Sequence, residues 1–140
     1  MRETTMRRSS VIILFIVLLV SPMSWADEVA SADVILCTAI QATRCSMDDE
    51  CSTGPPWSLN IPQFIEIDLK KKQLATTAAS GENRVTPFKN LERAEGVMYL
   101  QGVEGGRAFS FVIDEATGSL SVAVATKTGT TTVLGACTPR

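Results

Sequence analysis

The 140-residue chain has no histidine. His-dependent triads, imidazole acid–base chemistry and histidine-ligated zinc hydrolase sites are therefore excluded. The nucleophile patterns S-x-x-K and G-x-S-x-G are also missing, and a serine here has no imidazole to act as its base. Gly102–Gly106 lacks the G-x-G-x-x-G spacing and the strand-to-helix context of a dinucleotide site. No C-x-x-C pair and no N-x-S/T sequon occur. Positive charge is scarce as well. Beyond residue 26, 10 basic residues stand against 14 acidic ones, so no broad attraction to nucleic acid or anionic lipid is expected. Neither a cofactor nor a metal is expected.

Long apolar runs are missing too, apart from one. Val11 to Val20 reads VIILFIVLLV, preceded by Arg2, Arg7 and Arg8 and followed by Ser24 and Ala26. A positive n-region, an apolar h-region and small residues three and one before a cut describe a secretory signal peptide, cleaved after Ala26. Ten apolar residues are too few to span ~30 Å of hydrocarbon as a helix, so no stable membrane anchor is expected after processing. Arg7-Arg8 is a twin-arginine pair, but the very apolar h-region and the lack of a surrounding motif favour the general secretory route. The expected organisation is a leader helix outside the domain, residues 1–26, and a single β domain, residues 27–140, acting in the periplasm or outside the cell.

All four cysteines, Cys37, Cys45, Cys51 and Cys137, lie beyond the leader. An even number in a short exported chain implies a disulfide framework. Zinc is the competing reading, but the long step from Cys51 to Cys137 is unlike a ribbon or finger. Of the three connectivities four cysteines allow, we expect Cys45–Cys51, closing the acidic loop 46–50, and Cys37–Cys137, tying the first strand to the last.

All nine glycines and 13 threonines fall beyond the leader. Glycine punctuates turns and threonine suits a half-buried pleat. Alternation of period two runs through Phe64–Leu69, Arg107–Asp114 and Leu120–Thr126. Short turn signals at 102–106, 114–118 and 127–129 join strands near 97–101, 107–114, 120–126 and 130–137 into a four-strand meander. Upstream, Asp33–Ala42 is a first strand, with weaker candidates at Gln73–Ala78 and Val85–Leu91. Helix signals are poor: Asn90–Glu95 offers one turn, stopped by Gly96. The fold class is all-β, an antiparallel meander of about eight strands. A closed or nearly closed small barrel is the first choice because it removes exposed edges, and an open β-sandwich is the alternative.

The exported layout, the cysteines near both ends and the closing D-x-x-T-G-x-L hairpin at Asp114–Leu120 resemble small exported β-barrel proteins of Gram-negative bacteria, many with no assigned activity. The lysozyme-inhibitor and lipocalin groups share this layout. No functional residue is carried over from either.

Few residues suggest chemistry. Asp48-Asp49-Glu50 clusters carboxylates but lacks the D-x-D-x-D-G spacing that wraps Ca²⁺, and reads as a solvated acidic turn. Glu66 and Asp68 share one strand face, the spacing a carboxylate-dependent hydrolase would use, but they oppose the apolar Ile65, Ile67 and Leu69. Lys70-Lys71-Lys72 reads as a charged hairpin tip. Trp57, on the proline-rich loop Cys51–Pro62, is a contact-site candidate weighed against a core cap. Tyr99 is a second binding candidate weighed against core packing. The function expected is a non-enzymatic exported binding protein. It would take either a small apolar ligand in the barrel mouth or an envelope protein across a loop face. A cavity would be lined by some of Ile67, Tyr99, Phe109, Phe111, Ile113, Leu120 and Val122, against the alternative of a filled interior. A hydrolase using Glu66 and Asp68, or a structural envelope protein without ligand, are the rival readings.

Overall fold

The computed structural model describes residues 28–81 and 83–140. The leader and its cleavage point lie outside the described residues. A helical turn, Glu28–Ser31, precedes ten strands: β1 Val34–Ser46, β2 Ser52–Gly54, β3 Phe64–Asp68, β4 Gln73–Thr76, β5 Val85–Pro87, β6 Asn90–Ala94, β7 Val97–Glu104, β8 Arg107–Asp114, β9 Ser119–Thr126 and β10 Gly129–Pro139. The fold is all-β and every strand pairing is antiparallel.

Nine strands form one curled path in the order β5-β4-β3-β1-β10-β9-β8-β7-β6, with β2 added beside β1. The sheet is open and not the closed or nearly closed barrel expected: among the described residues no ladder joins its two edges. Topology explains this. With nine antiparallel neighbours, the edge strands β5 and β6 run in the same direction, so only a parallel ladder would close the path. Only Phe88 and Lys89 connect them, far short of the dozen or more residues a parallel crossover needs. β5 also ends on Pro87, which has no N–H to give to a ladder. The chain simply passes from one edge to the other: the Phe88 N–H donates to Lys72 O (3.0 Å) and the Lys89 N–H to Gln101 O (2.9 Å).

Long-range pairing redrew several boundaries. β1 continues past Ala42 to Ser46 because Arg44 and Cys45 find partners in Thr131 and Thr130. A bulge between Ala39 and Gln41 bends it. The strand expected at Val85–Leu91 is split between the two edges. Asn90–Glu95 is not a helical turn but strand β6 and its turn, because Leu91 and Arg93 pair with Leu100 and Met98. Glu95 and Gly96, both at positive φ (53° and 76°), make the two-residue turn from β6 to β7.

The D-x-x-T-G-x-L segment forms its turn as its residues dictate. The Asp114 carboxylate accepts from the Thr117 N–H (2.7 Å), the Thr117 hydroxyl (3.0 Å) and the Ala116 N–H (3.0 Å). These donors, Thr117 foremost, hold Asp114 below its ordinary carboxylate range. Gly118 has φ +71°, and a Cβ there would overlap the Cys137 carbonyl oxygen, so the position excludes a side chain twice over.

Both expected disulfides are present, Cys37–Cys137 and Cys45–Cys51. Cys37 and Cys137 sit directly opposite each other in the β1–β10 register. At this end the interior is solid: Ile35, Ile67, Met98, Leu100 and Ile113 are 0% exposed. Val29 of the helical turn is buried against them, and Arg93 pins that turn by donating to Ala30 O (2.6 Å) while facing Glu115 (3.3 Å).

The two bridges differ in loop length, with separations of 100 and 6 residues. Chain entropy assigns the long loop about 4.7 kcal/mol and the short one about 2 kcal/mol. In equilibrium denaturation, Cys137→Ser is therefore expected to cost roughly 2–5 kcal/mol and Cys45→Ser clearly less. Equal losses would mean that the β1–β10 bridge carries no special share of stability.

Candidate functional site

The inner face of the curled sheet changes character along its length. Near the helical turn its positions carry Ile, Met and Leu. Toward the other end the same face carries Ala39, Gly102, Gly129 and Gly135, interleaved with Thr86 and Thr131. A Cβ at Gly102, Gly129 or Gly135 would meet the Phe109 ring, the Cys45 carbonyl or the Thr38 carbonyl, so these glycines let neighbouring groups approach closely, and beside them a cavity of about 410 Å³ opens. Its apolar wall includes Ile65, Leu74, Phe109, Phe111, Val122 and Val133. The register places them together: Phe109 lies opposite Val124, Phe111 opposite Val122, and Val122 opposite Val133. Phe109 and Phe111 meet edge to face, with centroids 6.0 Å apart.

Gly102 shapes this wall. It is opposite Phe109 in the β7–β8 ladder, and a Cβ at Gly102 would run into the Phe109 ring. The missing side chain lets that ring lie back over β7 instead of projecting into the cavity.

The proline-rich segment forms one lip. Pro56–Leu59 is a short 3₁₀ turn with Pro56 buried, ended by Asn60 at positive φ (56°). The Ile61 N–H donates to Pro56 O (3.0 Å) and the Ser58 hydroxyl to Pro55 O (2.7 Å). Asn60, Ile61 and Pro62 line the cavity, while Trp57 points away and is 66% exposed. The core-cap reading of Trp57 is thereby removed.

The rim is polar. Arg44, Arg84, Glu104 and Arg107 line it. Arg44 lies opposite Thr131, two residues along from the Ala42–Val133 pair, and so shares the inner face with Val133. Arg107 and Glu104 form an ion pair at 3.1 Å.

Tyr99 lies elsewhere. Met98 and Leu100 occupy the inner positions of β7, so by period two Tyr99 faces outward, between Glu92 and Val112. It borders an outer groove with Asn90, Glu92, Ala94 and Gln101. Ile67 and Ile113, also expected at the cavity, belong to the solid end. Phe109, Phe111, Leu120 and Val122 do line it.

Glu66 and Asp68 face outward and away from the cavity. Glu66 pairs with Arg140. Asp68 accepts from the Lys71 N–H (2.8 Å) and lies 3.1 Å from the Lys71 ammonium, which together hold its carboxyl below the usual range. Lys70 donates to Asp33 (2.6 Å), and this partner raises the Lys70 pKa. The lysine run is thus a hairpin tip at the solid end, two of its charges paired. Asp49 turns back on Ser46, whose Oγ accepts its N–H (3.1 Å). Among the described residues no three His, Cys, Asp or Glu side chains group as a metal site.

No protein-family model, curated protein or solved structure matches this chain.

The site is therefore defined by geometry. Sequence reading missed Arg44, Arg84 and Ile61. Arg44 falls in a stretch without apolar alternation, and Arg84 and Ile61 lie in segments with no period at all.

Gly102→Leu is expected to drive the Phe109 ring into the cavity and to cost about 1–3 kcal/mol by overpacking. Fluorescence titration with an apolar dye should show reduced binding to this variant. Undiminished binding would mean that Gly102 does not keep the cavity open.

Proposed function

We propose that this is an exported, non-enzymatic binding protein that holds a small apolar ligand in the mouth of its curled sheet. The observation that carries the reading is the contrast within one interior, packed solid at one end and hollow at the other. A domain selected for stability alone gains by filling such a space, at roughly 1.5–3 kcal/mol for each fully buried large apolar side chain. The cavity falls within the ~300–1,000 Å³ usual for small-molecule sites, and it joins an apolar wall to a few polar groups at the rim. Export is supported by the n-, h- and c-region order of residues 1–26 and by two disulfides compatible with an oxidising, extracytoplasmic location. No helix among the described residues is long and apolar enough to cross a membrane. The hydrolase reading gains no support, since both of its carboxylates lie outside the cavity and each is paired with a cation.

Thermal denaturation across a panel of lipophiles tests this. A ligand present at 100 times its Kd adds about 2.7 kcal/mol, an upward shift of several degrees for a domain of this size. No shift from any lipophile would sink the proposal.

A second reading, contact with an envelope protein, is favoured by the exposed indole of Trp57 on its stiff loop. Prolines lower the entropy lost on docking. Trp57→Ala is expected to weaken capture of such a partner by about 30-fold or more and to leave the thermal midpoint unchanged. A lowered midpoint with unaltered capture would count against the contact role.

A further inference from the structure

We infer that the cavity takes an anionic amphiphile, a single apolar chain ending in a carboxylate or phosphate, with Arg44 and Arg84 holding the head. This rests on reading the cavity as a ligand site and goes further, naming the chemistry of the ligand.

Five arginines lie among the described residues. Arg93, Arg107 and Arg140 are each paired with a carboxylate: Glu115, Glu104 and Glu66. The two without a carboxylate partner among the described residues, Arg44 and Arg84, both line the cavity. The asymmetry is therefore local. Elsewhere the fold neutralises its guanidinium groups; at the mouth two have no carboxylate partner among the described residues.

Their placement suits a shared anion. Arg84 directly precedes β5, Arg44 lies on β1 and Arg107 on β8. In the order β5-β4-β3-β1-β10-β9-β8 these are spaced three strands apart, about 14 Å of arc at ~4.8 Å per strand. Three long side chains thus ring the mouth at even intervals. Glu104 occupies Arg107 (3.1 Å), leaving the other two for the ligand. Guanidinium groups offer planar, paired donors that match carboxylate and phosphate oxygens. The nearby acidic loop does not cancel them: Asp48, Asp49 and Glu50 are absent from the lining, and Asp49 is folded back on Ser46.

Below the rim the wall is apolar, through Ile65, Leu74, Phe111 and Val122. A bare anion would leave that wall unused, whereas each methylene buried there adds about fourfold in affinity. A neutral lipophile would leave both arginines without a partner. Only a ligand with both parts uses the whole site.

Calorimetric titration of the protein with both disulfides formed tests this, using dodecanoate, dodecyl phosphate, dodecanol, dodecylamine and inorganic phosphate below their aggregation limits. The two anionic amphiphiles should bind at least tenfold more tightly than dodecanol in low salt, and raised salt should narrow the gap. The tighter of the two identifies carboxylate or phosphate as the preferred head. In Arg44→Gln/Arg84→Gln the preference should vanish while dodecanol affinity and the thermal midpoint stay unchanged, and Arg44→Lys/Arg84→Lys should restore most of it. Dodecanol or dodecylamine binding as tightly as dodecanoate would overturn the inference and leave the apolar cavity standing as a site. Inorganic phosphate binding as tightly as dodecyl phosphate would overturn the amphiphile. If none of the five binds, the cavity reading falls with it.

Discussion

The pairing of β1 with β10 is the constraint on which the rest of the structure depends. It joins the first strand to the last over eleven residue pairs, Ile35–Pro139 to Ser46–Gly129. The Cys37–Cys137 bridge lies within that ladder. Without this junction the ladders would form two separate sheets: β1 to β5 on one side, and the meander β6 to β10 on the other. Closing a loop of this length carries a large entropic cost, which the covalent bridge removes from the unfolded state. The close approach is built into the sequence at Gly135, where a Cβ would collide with the Thr38 carbonyl.

The same ladder sets the cavity. Ala39 and Gly135 are partners, and past the bulge Ala42 pairs with Val133 and Arg44 with Thr131. The inner face of β1 thus passes from Ile35 through alanine to arginine. β7 shows the same gradient from Met98 and Leu100 to Gly102 and Glu104. Bulk at one end gives the cup a solid floor, and the charged residues fall at its rim because period two continues past the apolar stretch. The open seam between β5 and β6 follows from the odd strand number, and it leaves Arg84 and Thr86 on a lip of the mouth.

Charge is distributed with the same economy on the outer face. Lys70, Lys71 and Arg140 each meet a carboxylate at the solid end. Such exposed pairs contribute little to stability. They occupy Glu66 and Asp68, while Arg44 and Arg84 at the mouth have no carboxylate partner among the described residues.

The amino-acid sequence determined the all-β class, the meander from β7 to β10, the Asp114–Gly118 turn and both cysteine pairs. Most of these rest on short-range signals: alternation, turn residues and the six-residue spacing of Cys45 and Cys51; the Cys37–Cys137 pair rests instead on the placement of its two cysteines in the first and last strands. Tertiary structure decided what depends on partners far along the chain. β6 is a strand because β7 lies beside it, although Asn90–Glu95 alone offers one helical turn. β1 reaches Ser46 because β10 is long enough to meet it. Trp57 is exposed and Tyr99 faces outward because the 3₁₀ turn and the β7 register turn them so. Arg44, Arg84 and Ile61, far apart in sequence, share one mouth only because the sheet curls. Local chemistry specifies a strand and its two faces, but which face encloses a cavity depends on how nine strands wrap around a common interior.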